Sequence, residues 1–130
     1  MVMEIVAFNA DTKADGTGTT GITWVSKNIV AKHVINRQDT NAGGWELCEM
    51  RTWLQNDFYN TIPTEVTSII ENVNKTYWDY ETKTTLSCSD NIWIPSYREL
   101  FGGSTYEDSG ATYSSCKFRP NGVKISLRAV

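Results

Sequence analysis

The stretch GGWELCEMRTWLQNDFY, residues 43–59, decides the fold expected of this chain. Its large apolar residues recur at i, i+3, i+4 and i+8, which is the spacing of one face of an α-helix. The residues on that face are Met50, Trp53, Leu54 and Phe58. We therefore predict an amphipathic helix over residues 47–59 that turns this aromatic face towards the core.

Two β-branched stretches before this helix predict a hairpin. Residues 22–26 (ITWVS) and 29–35 (IVAKHVI) are separated only by Lys27 and Asn28, a spacing typical of a tight turn. Residues 4–8 (EIVAF) predict one more strand, and the polar, Gly-rich residues 9–21 that follow it predict a loop.

A second helix is predicted to begin at Pro63, because proline is well tolerated at the first helical position. Its apolar stripe has helical spacing and consists of Val66, Ile69, Ile70 and Val73. Strands that alternate with short helices indicate an α+β fold, here a small antiparallel sheet with two short helices. At 130 residues the chain is predicted to be a single domain, residues 1–130.

The polar residues 74–91 predict either an exposed hairpin or a long loop. After them, residues 92–94 (IWI) predict a short buried strand that Pro95 ends, and residues 122–127 predict a last strand. Ser96 lies three residues before Glu99, which is the spacing of a capping box at a helix start.

Composition argues against several classes of function. The net charge is −3 and no run of Lys or Arg is present, so the electrostatic footprint of a nucleic-acid-binding protein is absent. No apolar run approaches the roughly 18 residues of a membrane span, so no membrane insertion is expected. The first residues, MVMEIVAFNAD, lack the basic and apolar regions of an export signal.

The sequence also offers no recognised catalytic or metal-binding motif, so we predict a protein that is not an enzyme and has no cofactor or metal. Cys48, Cys88 and Cys116 are outside any CxxC spacing, and the single histidine, His33, lies in an alternating strand pattern. Buried free thiols are the preferred interpretation, and a Cys88–Cys116 disulfide stays open.

The aromatic residues fall into two groups according to the polarity of the sequence around them. Five lie in apolar patterns and are predicted to be core: Trp24, Trp45, Trp53, Phe58 and Trp93. Four others lie in polar contexts and are the candidate binding residues: Trp78, Tyr80, Tyr106 and Tyr113. Aromatic rings in polar loops provide a large contact area at a low entropy cost, a property of recognition surfaces. The alternative is that these rings fold back over the core.

Residues 43–63, followed by an Ile/Val-rich helix and then DNIWIPSYRELFGG, resemble an uncharacterised domain of Firmicute surface proteins and their bacteriophages. The matching motif positions fall in two groups. The first group is Trp45, Arg51, Trp53, Leu54, Phe58 and Tyr59, and the second is Asp90, Ile92, Trp93, Ile94, Pro95 and Ser96. The resemblance implies a C-type-lectin-like fold related to the formylglycine-generating-enzyme scaffold, although a fold alone does not give a function.

Members of that family usually continue into a second half with a W-W-L-R motif, of which only SLRA, residues 126–129, is similar here. The resemblance therefore implies either a truncated C-type-lectin-like domain or part of a longer product. A truncated domain would have uncovered strand edges. Proteins rarely leave such edges bare, so we expect a homo-oligomer in which a second copy covers the open edge.

These inferences lead to a non-enzymatic recognition or structural domain of phage or prophage origin, such as a tail-fibre or receptor-binding component. It is expected to bind a cell-surface glycan or a protein receptor through aromatic loops. Two locations fit these inferences, the virion and the cytoplasm. One alternative is an assembly protein whose only ligand is another subunit. The other is a cysteine- and metal-dependent enzyme on the formylglycine-generating scaffold, for which Cys88 and Cys116 are the only plausible pair.

Overall fold

The structure of the protein, a computed structural model, describes residues 1–79, residues 81–96 and Glu99. In this part of the chain, two antiparallel two-stranded sheets flank a series of short helices, so the fold is α+β as predicted. The strands are β1 (Met3–Phe8), β2 (Ile22–Ser26), β3 (Val73–Asp79) and β4 (Thr84–Asp90). The α-helices are α1 (Gly44–Leu47), α2 (Glu49–Trp53) and α3 (Thr64–Thr67).

The first sheet confirms both predicted strands, residues 4–8 and 22–26, but it does not bury Trp24. Thr23 points inward, because its hydroxyl donates a hydrogen bond to Asp11 Oδ2 at 2.6 Å. Side chains alternate along a strand, so Trp24 takes the opposite face and is 51% exposed. The prediction that Trp24 belongs to the core is therefore wrong.

The predicted hairpin at Lys27 and Asn28 is also wrong. The strand partner of β2 is β1, and Lys27 N extends that pairing by donating to Val2 O at 2.9 Å. The chain consequently does not reverse at this point, and residues 29–35 form no strand. His33, which the sequence placed in a strand, instead stacks its ring on Trp53 with the ring centroids 4.8 Å apart.

The helix predicted over residues 47–59 is present but starts earlier and is interrupted. Helical structure begins at Gly44, breaks at the extended residue Cys48 (ψ 146°), and resumes as α2. The Cys48 thiol caps α2 by accepting a hydrogen bond from Arg51 N at 3.4 Å. A π-helical turn (Leu54–Phe58) and a 3-10 turn (Tyr59–Thr61) then complete the segment.

The predicted apolar face of this helical segment is confirmed. Met50 and Leu54 are buried together with Cys48. Partly buried residues pack around them, namely Trp45, Trp53, Phe58 and Ile92. The segment also passes very close to β3: Gly44 has a φ of +57°, and a Cβ placed there would lie 2.7 Å from the Tyr77 ring. Glycine therefore suits this position on both conformational and steric grounds.

The second predicted helix is reduced to the single turn α3. Two residues of its expected stripe, Val66 and Ile69, are 45% and 78% exposed. The helix does not continue because the chain from residue 72 onward pairs with the loop after β1. Asn74 N donates to Thr12 O at 2.9 Å, so Val73 belongs to β3 rather than to a helix.

The polar residues 74–91 form mainly the hairpin of β3 and β4, which decides between the two predicted alternatives. Residues 92–94 are not a strand, contrary to prediction, because they follow β4 without a pairing partner among the described residues. The capping box is confirmed: Ser96 N donates to Glu99 Oε2 at 2.9 Å, and Glu99 N donates to Ser96 Oγ at 3.1 Å. The strand predicted over residues 122–127 lies outside the described residues.

A buried ion cluster joins the loop after β1, strand β3 and the capping turn. Lys75 is only 5% exposed, and its Nζ contacts both Asp11 Oδ1, at 3.1 Å, and Glu99 Oε1. The same ammonium lies 4.1 Å from the centre of the Trp93 ring. Burial alone would lower the pKa of Lys75, but the two carboxylates outweigh it and the pKa is raised. Lys75 therefore stays charged and holds three segments together.

Replacing this lysine tests the role of the buried cluster. Lys75→Met keeps the aliphatic stem but leaves two buried carboxylates without their cation, so we expect a loss of about 3–5 kcal/mol in the free energy of unfolding. The matched control is Lys13→Met, which breaks the exposed Lys13–Glu71 pair and should cost at most about 1 kcal/mol. Urea unfolding of both variants measures the difference, and equal losses would contradict a structural role for the cluster.

Candidate functional site

Two motif positions of the first sequence segment, Trp45 and Arg51, meet one of the second, the buried carboxylate of Asp90. Trp45 Nε1 donates to Asp90 Oδ2 at 2.7 Å, and Arg51 Nε donates to Asp90 Oδ1 at 2.7 Å. Asp90 is 0% exposed. The two groups of motif positions, which are far apart in sequence, are thus bound directly to each other at the end of β4.

Further hydrogen bonds reinforce this junction between the helical segment and β4. The remaining Arg51 nitrogens donate to two backbone carbonyls, Glu46 O at 3.2 Å and Ser89 O at 3.0 Å. Gln55 donates to Ile92 O and accepts from Asn91 N at 3.0 Å. Both oxygens of Asp90 and all three nitrogens of the Arg51 guanidinium are therefore engaged within the protein, as expected of a structural ion pair.

Cys88 completes what we call the Asp90 cluster, which consists of Trp45, Arg51, Cys88 and Asp90. Its Sγ lies 3.6 Å from Asp90 Oδ2. Burial first, and the Asp90 carboxylate second, raise the pKa of Cys88 to about 11. Burial likewise raises the pKa of Cys48, although Arg51 opposes this effect. Both thiols therefore remain protonated at neutral pH and are poor nucleophiles.

Both thiols are free and buried, which confirms the interpretation of these two residues. Cys116, the third cysteine, lies outside the described residues. Within the part that the structure describes, no three His, Cys, Asp or Glu side chains are grouped closely enough to hold a metal ion. None of the helices in residues 1–79 and 81–96 has the length and apolar character needed to cross a bilayer.

Of the four candidate binding residues, Trp78 alone lies among the described residues. It lies in β3 and is half-buried, and its Nε1 is buried without a hydrogen-bond partner in the described structure. Its cross-strand partner is Thr85 of β4. The other three candidates, Tyr80, Tyr106 and Tyr113, lie outside the described residues.

Trp78 belongs to a sheet face that is otherwise polar. Alternation along β3 and β4 places the buried residues Val73, Lys75, Cys88 and Asp90 on one face and six other residues on the opposite face. We call the second set the polar face, and it consists of Asn74, Thr76, Trp78, Thr85, Ser87 and Ser89. It combines one aromatic ring with an amide and several hydroxyl groups.

The first sheet presents a contrasting surface that the sequence reading missed. Four large residues on its outer side are at least 42% exposed, and we call them the apolar face: Ile5, Phe8, Ile22 and Trp24. In the register of this sheet, Ile5 pairs with Trp24 and Phe8 pairs with Ile22. The sequence shows that side chains alternate between the two faces of these strands, but not which face is buried. The hydrogen bond between Thr23 and Asp11 decides this, because it turns Thr23 inward and therefore Trp24 outward.

The thiol in the Asp90 cluster predicts a stability change at alkaline pH. Below pH 9.0, the ordinary thiol pKa, Cys88 is protonated in both states, and its contribution to stability is fully present. Between pH 9.0 and about 11, the unfolded chain loses this proton while the folded protein keeps it, so the free energy of unfolding falls. Cys88→Ser removes the titrating group and should show a shallower fall in urea unfolding across this range. Identical slopes for both proteins would contradict the buried position of this thiol.

Comparison with known proteins gives one relationship. A family model described as a domain of unknown function, DUF6273, matches residues 20–121. No curated protein and no solved structure matches the chain. The matched region contains both motif segments, the Asp90 cluster and the polar face. Because the match covers most of the chain, this protein belongs to the DUF6273 family.

Proposed function

We propose that this protein is a non-enzymatic recognition domain that binds a cell-surface glycan through the polar face of its second sheet. The observation that carries the proposal is the composition of this face, where Trp78 is the only aromatic residue among Asn, Ser and Thr side chains. Three of its residues, Asn74, Ser87 and Ser89, are exposed.

The chemistry of the polar face suits a sugar. Hydroxyl and amide groups both donate and accept hydrogen bonds, so they can replace the water that surrounds sugar hydroxyls. An aromatic ring offers a flat apolar surface for the C–H face of a pyranose. Ser89 Oγ donates to Asn74 Oδ1 at 3.3 Å, which fixes two of these groups relative to each other. Such preorganisation reduces the entropy cost of binding.

The chemistry of the buried groups supports binding rather than catalysis. The Asp90 cluster and the ion cluster around Lys75 use their charges to join segments of the fold. The Cys48 and Cys88 thiols have raised pKa values, which opposes a role as nucleophiles or as metal-binding thiolates.

The setting proposed for this activity follows from the resemblance of the two motif segments. Domains of this kind in Firmicute surface proteins and bacteriophages suggest a phage or prophage tail-fibre or receptor-binding component. The same resemblance suggests a truncated C-type-lectin-like version of the α+β fold. Tyr80, Tyr106 and Tyr113 remain proposed contributors to the binding surface.

A second candidate function, subunit assembly, is favoured by the apolar face of the first sheet. Phe8 is 67% exposed and Trp24 is 51% exposed, and they share this face with two isoleucines. Contiguous apolar surface of this kind commonly marks a contact with another protein. In this alternative the ligand is another subunit rather than a glycan.

A glycan-array screen followed by calorimetry tests the glycan proposal. Trp78→Ala should weaken binding of the selected glycan about tenfold or more, because tryptophan contacts commonly dominate binding surfaces. The matched control is Trp24→Ala, which removes the same side chain from the other sheet and should leave the affinity unchanged.

A further variant separates binding from folding. Trp78 is half-buried, so Trp78→Ala also reduces stability, whereas Ser87→Arg places a bulky charge on the polar face from an exposed position. Ser87→Arg should abolish glycan binding without changing the thermal transition. Full binding by both folded variants, or a complete absence of glycan ligands in the screen, would contradict the proposal.

A further inference from the structure

Residues 27–37, KNIVAKHVINR, read almost identically in both directions. The centre of this pattern is Lys32, and residues at equal distances from it are the same or similar in type, except for Ala31 and His33. The matched pairs are Asn28 with Asn36, Ile29 with Ile35, and Val30 with Val34. Two copies of such a segment running antiparallel place the isoleucines opposite each other and the valines opposite each other on both sides of Lys32.

Most of this segment is exposed, and it pairs with no strand in the part of the chain that the structure describes. Ile29 is 68% exposed and Val30 is 45% exposed, while Val34 and Ile35 are 53% and 54% exposed. The backbone N–H groups of residues 29–35 donate no hydrogen bond within the described part of the chain. A β-branched segment whose backbone donors have no partner among the described residues is a template for strand addition.

Contacts at one side of the segment hold it in place on the protein. The carbonyl of Ile35 accepts a hydrogen bond from Met50 N at 3.1 Å, at the start of α2. The ring of His33 stacks on Trp53. The segment is therefore attached to the helical part of the fold, while its valines remain accessible.

Charges at the two ends of the segment are already neutralised. Lys27 Nζ lies 3.2 Å from Glu4 Oε1, and Arg37 Nε lies 3.2 Å from Glu49 Oε2. Lys32 has no ion-pair partner among the residues that the structure describes, and it occupies the centre of the pattern. Antiparallel pairing of two copies therefore brings Lys27 of one copy close to Arg37 of the other, and each of these charges is already paired within its own chain. At the centre, the two Lys32 side chains face each other, and their like charges are not compensated.

We propose that residues 28–36 are a homotypic docking segment, which pairs antiparallel with the same segment of a second copy about a two-fold axis at Lys32. In this register Ile29 faces Ile35, and Val30 faces Val34, on both sides of the axis. The contact is isologous, as most dimer interfaces of identical chains are. It goes beyond the glycan proposal, because it uses a different surface and needs no ligand.

The size of the contact sets its expected strength. A paired strand of this length buries less than the roughly 1,600 Å² of a standard interface, so the dimer belongs to the weak, concentration-dependent class. The facing Lys32 side chains repel each other, and salt screens this repulsion. Self-association of the wild-type protein should therefore increase with ionic strength.

Sedimentation velocity over a wide concentration range tests the proposal. The wild-type protein should form a reversible dimer, and Val34→Lys should weaken it about tenfold or more by placing a charge opposite Val30. The matched control is Ile69→Lys, which alters an apolar residue that is 78% exposed but lies outside the segment, and it should dimerise as the wild type does. A wild-type protein that stays monomeric at every concentration would overturn the proposal.

Charge exchange at the centre tests the register. A mixture of wild-type protein and the Lys32→Glu variant should form mixed dimers more readily than either protein forms dimers alone, because among antiparallel registers only this one places position 32 opposite itself. Added salt should weaken the mixed dimer. An absence of preference for the mixed dimer would overturn the two-fold register.

Lysine cross-linking of the full chain distinguishes a second copy from the protein's own C-terminal residues as the occupant. The proposal expects a Lys32–Lys32 link, which can join only two copies. Links from Lys32 to Lys117 or Lys124 in its place would show that the protein's own C-terminal residues cover the segment, and they would overturn the proposal. Glycan binding is measured separately on the same variants, so failure of one proposal does not affect the other.

Discussion

The carboxylate of Asp90 is the constraint on which the described fold depends. It is fully buried, and it accepts hydrogen bonds from Trp45 and from Arg51 at 2.7 Å each. A buried carboxylate is tolerated only when its charge is paired and its oxygens are satisfied. Trp45 and Arg51 must therefore come from the helical segment in a fixed position. This requirement binds that segment to the end of the second sheet.

A second buried charge fixes the rest of the architecture in the same way. Lys75 lies in β3 and contacts carboxylates from the loop after β1 and from the capping turn at Glu99. The two clusters occupy the inward side of the same hairpin, since Lys75 pairs with Cys88 two residues before Asp90. Buried ion pairs thus join the segments of the protein. The polar face lies on the outer side of the second sheet, and the apolar face lies on the outer side of the first. Binding is proposed for those outer surfaces because the two buried ion clusters lie on the opposite side of the second sheet.

The sequence predicted the elements whose patterns are local and complete. The strands of the first sheet, the apolar face around Met50 and Leu54, and the Ser96–Glu99 capping box all follow from spacing within a few residues. The predictions failed where a distant partner decided the outcome. Residues 29–35 have strong β-propensity but no strand, because β2 takes β1 as its partner.

The same reason explains the errors at single residues. Trp24 is exposed because Asp11, which lies 12 residues before Thr23 in the preceding loop, accepts a hydrogen bond from Thr23 and turns it inward. Val73 fits a helical stripe, but pairing with the loop after β1 places it in a strand. The resemblance identified Trp45, Arg51 and Asp90 as motif positions, yet spacing alone could not show that they contact one another. Burial of charge is a property of the whole fold, and a single sequence does not display it.

A double-mutant cycle between Arg51 and Asp90 tests most directly whether the motif serves the fold. Arg51→Met, Asp90→Asn and the double variant are compared with the wild type by urea unfolding. The buried ion pair predicts a coupling free energy of about 2 kcal/mol or more, with each single variant strongly destabilised. A coupling near zero in folded, stable variants would contradict a structural role for the Asp90 cluster and would mark these residues as a ligand site instead.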